Sequence, residues 1–150
     1  MKGLRQRFRI LFIRKRDLPL AMQASAWLFL AWLALDVLPG KLYLPMMRPD
    51  AREITLSDDD VQTYARRVRW SVRAAAKRVP WRAVCFHEGL AAHQMLSRAG
   101  ISSLLHYGVD KTEGGGLEAH VWVTAGAWIV VGGEAYARFT EIATFGAKSK

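Results

Sequence analysis

Apolar residues recur at intervals of three and four through "SDDDVQTYARRVRWSVRAAAKRVP". Val61, Tyr64, Ala65, Val68, Val72, Ala75 and Val79 share one face, which predicts an amphipathic helix from about 57 to 79. Ser57 or Asp58 caps its start, acids fill its first turn where the macrodipole favours them, and Pro80 stops it. Arg66, Arg67, Arg69, Arg73, Lys77 and Arg78 take much of the remaining surface, as a solvated face or as a docking surface for an acidic partner. A second helix is expected over 85–99, with Leu90, Ala91, Met95 and Leu96 inward and Gly100 as its C-cap. The period then drops to two. "ISSLLHYGV" reads as a strand, "DKTEGGG" as a loop, "LEAHVWV" as a strand, "TAGA" as a turn and "WIVVGG" as a strand. The expected class is α+β, with helices packed on a short antiparallel sheet.

Upstream the pattern is different. "LPLAMQASAWLFLAWLAL", residues 18–35, carries no charge and follows the basic stretch "KGLRQRFRILFIRKR". Its length is at the lower edge of a membrane span, and a basic flank before an apolar run also begins a signal peptide. No small-x-small cleavage site follows, Gln23 and Ser25 interrupt the run, and Asp36 closes it without a basic flank. A docked or interfacial helix fits these features better than a span or a cleaved signal. It is apolar all round, so it wants burial on several sides, and Pro39-Gly40 ends it. Residues 45–56, "PMMRPDAREITL", read as a linker. The expected division is a basic and apolar N-terminal segment, 1–56, followed by a core, 57–150.

Composition narrows the class. Half of the 150 residues are hydrophobic (51%), so the chain is not of disordered type. The net charge of +9 favours an acidic partner: nucleic acid, anionic lipid or an acidic peptide. No nucleic-acid motif accompanies it, so a nucleic-acid partner is not expected. A single cysteine excludes an internal disulfide and suits a reducing, cytoplasmic setting, with membrane association through 18–35 left open.

That cysteine, Cys85, falls where the second helix begins. A helix N-terminus and a nearby imidazolium both favour the thiolate, which is the nucleophile. His120, entering the strand "HVWV", is the best candidate base. His87 points to another face of the helix, His93 lies too far along the axis, and "HEGLAAH" lacks the spacing of two metal ligands on one face. For Cys85 taken alone, a buried inert thiol is the commoner situation. Val131 or Gly132 lies opposite His120 across the hairpin, and neither side chain can orient an imidazole. Glu134 shares the face of His120 only if the turn has three residues; Asp110 and Glu118 are the fallback acids. The expected site is therefore Cys85, His120 and Glu134.

The fragments "PWRAVC", "AAHQMLSRAGI", "LHYGV", "EAHVWVTAGAWIVVGG" and "RF" occur in this order and together resemble the lasso-peptide leader peptidases, the stand-alone B proteins of lasso-peptide biosynthesis. The resemblance covers about residues 57–145. It implies a papain/transglutaminase-like core with Cys85 as nucleophile and His120 as base. It further implies a cysteine peptidase that removes the leader from a ribosomally made lasso precursor. A leader-recognition protein and a macrolactam-forming cyclase would be its partners, and neither cofactor nor metal is required. The family's acid usually follows the histidine on the next strand, where this chain reads "VVGGE", and Thr124 stands where related sequences often have Glu. The rival classes are a non-catalytic basic binding module and a small protein anchored in the membrane by residues 18–35.

Overall fold

The computed structural model describes residues 17–38, 43–49 and 54–146. The basic stretch 2–16 and the Pro39-Gly40 stop lie outside them. Helix α1 (Leu18–Trp32) widens into a π-helical turn, Leu33–Val37, and is followed by the single-turn α2 (Leu44–Met47). Next come α3 (Asp58–Ala76) and α4 (Cys85–Arg98). The strands are β1 (Leu104–Lys111), β2 (Leu117–Ala125), β3 (Trp128–Val131) and β4 (Thr140–Phe145). They form one antiparallel sheet in the order β3-β2-β1-β4.

Local chemistry sets the helix ends. Ser57 is the N-cap of α3, its hydroxyl accepting the Asp60 N–H at 3.2 Å, and Asp58, Asp59 and Asp60 fill the first turn. At the end of α4, Gly100 takes φ +75°; its N–H reaches the Ser97 carbonyl and the Ile101 N–H reaches Leu96. This pair of bonds is a Schellman closure. It explains why β1 starts at Leu104 and not at 101: Ile101 is buried against the helix end and its N–H is already taken. The expected linker also differs. Its start folds as α2, held by Gln94 Nε2 donating to the Met46 carbonyl at 2.8 Å.

The core lies between the helices and one sheet face. Leu28, Val68, Val72, Leu90, Met95, Leu105, Val121 and Val123 belong to one buried cluster. The α4–β2 contact is close, because a Cβ on Gly89 would lie 2.6 Å from Val121 Cγ1. Residues on both sides of position 57 share this cluster: Leu20, Ala24, Leu28 and Ala31 of α1 pack into it. Both ends of the α1 segment are also tied down. Buried Asp17 pairs with Arg67 Nε at 2.8 Å, and Asp36 meets His87 Nε2 at 2.8 Å. By length and composition Leu18–Val37 is able to cross a membrane, yet one of its faces is core.

Strand β4 has no counterpart in the sequence reading. It pairs with β1 from Leu105↔Phe145 to Val109↔Thr140, across a register shift. Most of its side chains are exposed, so "TEIATF" gives no apolar run to mark it.

A buried histidine gives the fold a pH dependence. His93 is 1% exposed; its Nε2–H donates to the Met47 carbonyl at 3.1 Å and its Nδ1 accepts from Ser103 Oγ at 2.7 Å. Burial pushes its pKa from 6.5 down to about 4, against the opposing effect of the Met47 carbonyl. The unfolded chain therefore binds a proton at 6.5 and the folded chain only near 4. Stability is complete above pH 6.5 and is lost as the pH falls toward 4, on the order of 3 kcal/mol from this group. Urea midpoints at neutral and mildly acidic pH will show this drop. It should shrink in His93→Gln, and an equal drop in both proteins would assign it to other groups.

Candidate functional site

Cys85 is the first residue of α4, after an extended Val84 at φ −103°, ψ 173°. Val84 has no side-chain oxygen, so the first N–H groups of the helix keep no cap from that position. The Val84 N–H itself is accepted by His87 Nδ1 at 3.0 Å, while His87 Nε2–H donates to Asp36. His87, 3% exposed, thus fixes the entry to the helix and joins it to the end of the α1 segment. An uncapped helix start beside a thiol presents amide donors and a partial positive charge.

The Cys85 thiol opens into a pocket of about 180 Å³ shared with Glu88, His120, Val131, Gly132 and Glu134, with Arg69 and Arg73 at its side. His120 comes from β2, opposite Gly108 of β1, and its ring stacks on Phe139 with centroids 4.9 Å apart. Its Nε2 lies 2.8 Å from the carbonyl oxygen of Gly132. A carbonyl only accepts, so the proton sits on Nε2 and the neutral ring keeps its lone pair on Nδ1. No hydrogen bond joins the thiol and the imidazole among the described contacts.

The three expected site residues line one pocket, but they are not linked in series. Glu134 Oε1 is shared by Arg73 at 2.7 Å and Arg69 at 3.1 Å. A hydrogen bond from its own backbone N–H holds its carboxyl below the usual range; partial burial opposes this, and the two arginines add to it. Glu88, one turn into α4, is raised by burial, with Arg73 pulling it down and Glu134 pushing it up. The fallback acids lie elsewhere: Asp110 and Glu118 are both paired with Arg138. The arginine face of α3 is accordingly divided. Arg67 holds Asp17, and Arg69 and Arg73 line the pocket and pair with Glu134.

The hairpin explains this arrangement. The turn has two residues, Gly126 and Ala127, between Ala125 and its partner Trp128. A register shift then inserts one residue, so that Val123 pairs with Val131. Beyond Val131 the chain turns through Gly132 at φ +80°, with the space for a Cβ filled by the Val121 carbonyl oxygen at 2.5 Å. That backbone brings the Gly132 carbonyl to His120. The partner of His120 is a main-chain oxygen and not a side chain; its sequence signal is the glycine pair of "VVGGE".

The other three histidines are engaged elsewhere. His106 lies flat on Trp122 at 5.3 Å and bridges Glu141 (2.9 Å) and Thr124 (2.8 Å) across three strands. His87 and His93 are held as described above. A larger depression formed by the 54–58 stretch, the 100–102 turn and Gly126 includes Asp58 but no cysteine or histidine.

Comparison with known proteins agrees with this architecture. No curated protein and no solved structure matches the chain. The family model described as transglutaminase-like superfamily matches residues 21–144, from α1 to the last strand. The match spans the helices and the antiparallel sheet, and the chain belongs to the transglutaminase-like superfamily.

Proposed function

We propose that this protein is a cysteine peptidase that removes the leader from a ribosomally made lasso precursor, with Cys85 as nucleophile and His120 as base. The observation that carries the chemistry is the shared pocket, in which the thiol at an uncapped helix start faces the same space as an imidazole with Nε2 fixed on a carbonyl. The lasso assignment rests on the resemblance of residues 57–145; the superfamily, which includes cysteine peptidases, supports the peptidase chemistry.

The steps follow from those groups. His120 Nδ1 takes the Cys85 proton, and the thiolate adds to the carbonyl of the last leader residue. The N–H groups at the start of α4 stabilise the resulting oxyanion. The imidazolium returns its proton to the departing nitrogen, releasing the core peptide with a free amine and leaving the leader as a thioester. Water, deprotonated by the same imidazole, then frees the leader acid and regenerates the thiol. The Gly132 carbonyl holds the ring and stabilises its charged form as a third catalytic side chain would. Glu134 acts on the pocket through Arg69 and Arg73.

The protein works with a leader-recognition protein, and the freed amine passes to a separate cyclase. The excess of positive charge suits an acidic leader or recognition protein. Purified chain and a lasso precursor, followed by mass spectrometry, should give slow cleavage at one bond. The rate should rise with the recognition protein and fall as ionic strength increases. Full-rate cleavage by the chain alone at every salt concentration would remove the partner requirement, and no cleavage in the complete mixture would remove the peptidase assignment.

A further inference from the structure

Helix α1 is apolar on two sides, and the described residues cover only one of them. Leu20, Ala24, Leu28 and Ala31 face the core. Leu18 (60% exposed), Met22 (67%), Phe29 and Leu30 face solvent, continued by Val37 and Leu38. At ~100° per residue these outward positions form one continuous stripe along the helix. A contiguous apolar surface of this kind marks an interaction site. We propose that this stripe lies flat on an anionic lipid surface.

Charge favours lipid as the occupant. The stretch leading into the stripe, "KGLRQRFRILFIRKR", is rich in Lys and Arg, contains no acid and has apolar residues between its charges. Further along, Trp32 stacks on Trp81 at 5.3 Å, and Phe29 packs on both rings. The loop carrying Trp81 also carries exposed Arg78 and Arg82. Tryptophan and arginine beside an exposed apolar stripe are the composition of a membrane–water interface, where cationic side chains meet anionic headgroups. Asp36 is the one acid in 18–38, and its carboxylate is turned to His87. The surface is the outer side of a single helix.

Geometry decides the mode. Removing α1 from the domain would empty the core of four side chains and break the Asp17–Arg67 and Asp36–His87 pairs. The helix therefore stays in the fold and contacts lipid in the plane of the surface. The Asp36–His87 pair joins that helix to the start of α4, so the Cys85 pocket is held at a fixed position relative to the membrane.

Sedimentation of the full chain with vesicles tests this. The protein should pellet with phosphatidylcholine vesicles containing phosphatidylglycerol and much less with phosphatidylcholine alone, and high salt should weaken the pelleting. Met22→Glu and Leu18→Glu should each reduce binding about tenfold. Leu117→Glu, at a 73% exposed apolar residue of β2, should not. Because all three sites are exposed, circular dichroism melts should match the wild type and identify any variant that fails to fold. Equal binding to neutral vesicles, or no effect of Met22→Glu in a folded protein, would overturn the proposal. Resistance to carbonate extraction would show a span in place of an in-plane helix. Absence of vesicle binding together with a dimer that Met22→Glu dissociates would assign the stripe to a second copy.

Discussion

Cys85→Ala should lower precursor cleavage to background, His120→Ala should lower it by about a thousandfold, and the double variant should be little worse than the cysteine variant alone. The reason is that the two side chains act as one unit. Without the thiol there is nothing to acylate, so loss of the base then removes nothing further. Both side chains are part-exposed at a pocket wall, so neither replacement opens a cavity in the core. The variants should therefore melt near the wild type, while His87→Ala should lose stability through the freed Val84 N–H and the unpaired Asp36. A second measurement separates a reactive thiol from an inert one. Alkylation at Cys85 should slow in His120→Ala, because the base that takes the thiol proton is gone. A folded Cys85→Ala protein that still cleaves precursor at the wild-type rate would end the cysteine-peptidase reading.

Helices were legible in this sequence where one physical signal dominated. The three-and-four spacing from Val61 to Ala75 and the Ser57 cap placed the start of α3, although the helix ends at Ala76, before the expected Pro80 stop, and Gly100 marked the end of α4. Cys85 at a helix start followed from the same reasoning. Other elements depended on information that a local pattern does not contain. The strand "TEIATF" is defined by its pairing with β1, and its mostly exposed side chains leave no periodicity. The first turn of the linker became α2 because Gln94 and His93 of α4 bind its carbonyls, a tertiary effect. The uncharged run 18–35 announced a helix wanting apolar contact on several sides. Only the fold shows which side the domain supplies, namely the side of Ala24, Leu28 and Ala31.

The candidate site was legible in its side chains and hidden in its backbone. Cys85 and His120 are chemical signals readable from residue type and position. The register that decides the third partner depends on a shift inside a hairpin, which the residues of "TAGAWIVV" do not announce. An acid has a letter in the sequence, and a backbone carbonyl has none. Glu134 reaches the pocket, but its charge is directed to Arg69 and Arg73.

The sharpest consequence concerns Gly132 and Glu134, whose replacement should have opposite severities. A methyl group at position 132 would lie 2.5 Å from the Val121 carbonyl oxygen and 2.8 Å from Trp122 Cα, on a backbone at φ +80° that a side chain disfavours. The turn must then move, and the carbonyl moves with it from its 2.8 Å contact with His120 Nε2. The imidazole loses the acceptor that fixes its tautomer. For Gly132→Ala, kcat should fall about a hundredfold with a much smaller change in KM, because the ring's orientation matters most when it becomes charged. Glu134→Gln leaves that hydrogen bond intact and removes only the charge between two half-exposed arginines, so the loss should be a few-fold. Thermal melts will identify any Gly132→Ala protein that has merely failed to fold. Nitrogen NMR of His120 supplies a readout that general damage does not imitate, with the Nε2–H tautomer dominant in wild type and Glu134→Gln and mixed in folded Gly132→Ala. The opposite result, Glu134→Gln as damaging as His120→Ala while folded Gly132→Ala retains full kcat, would make Glu134 the partner of His120 in the working enzyme.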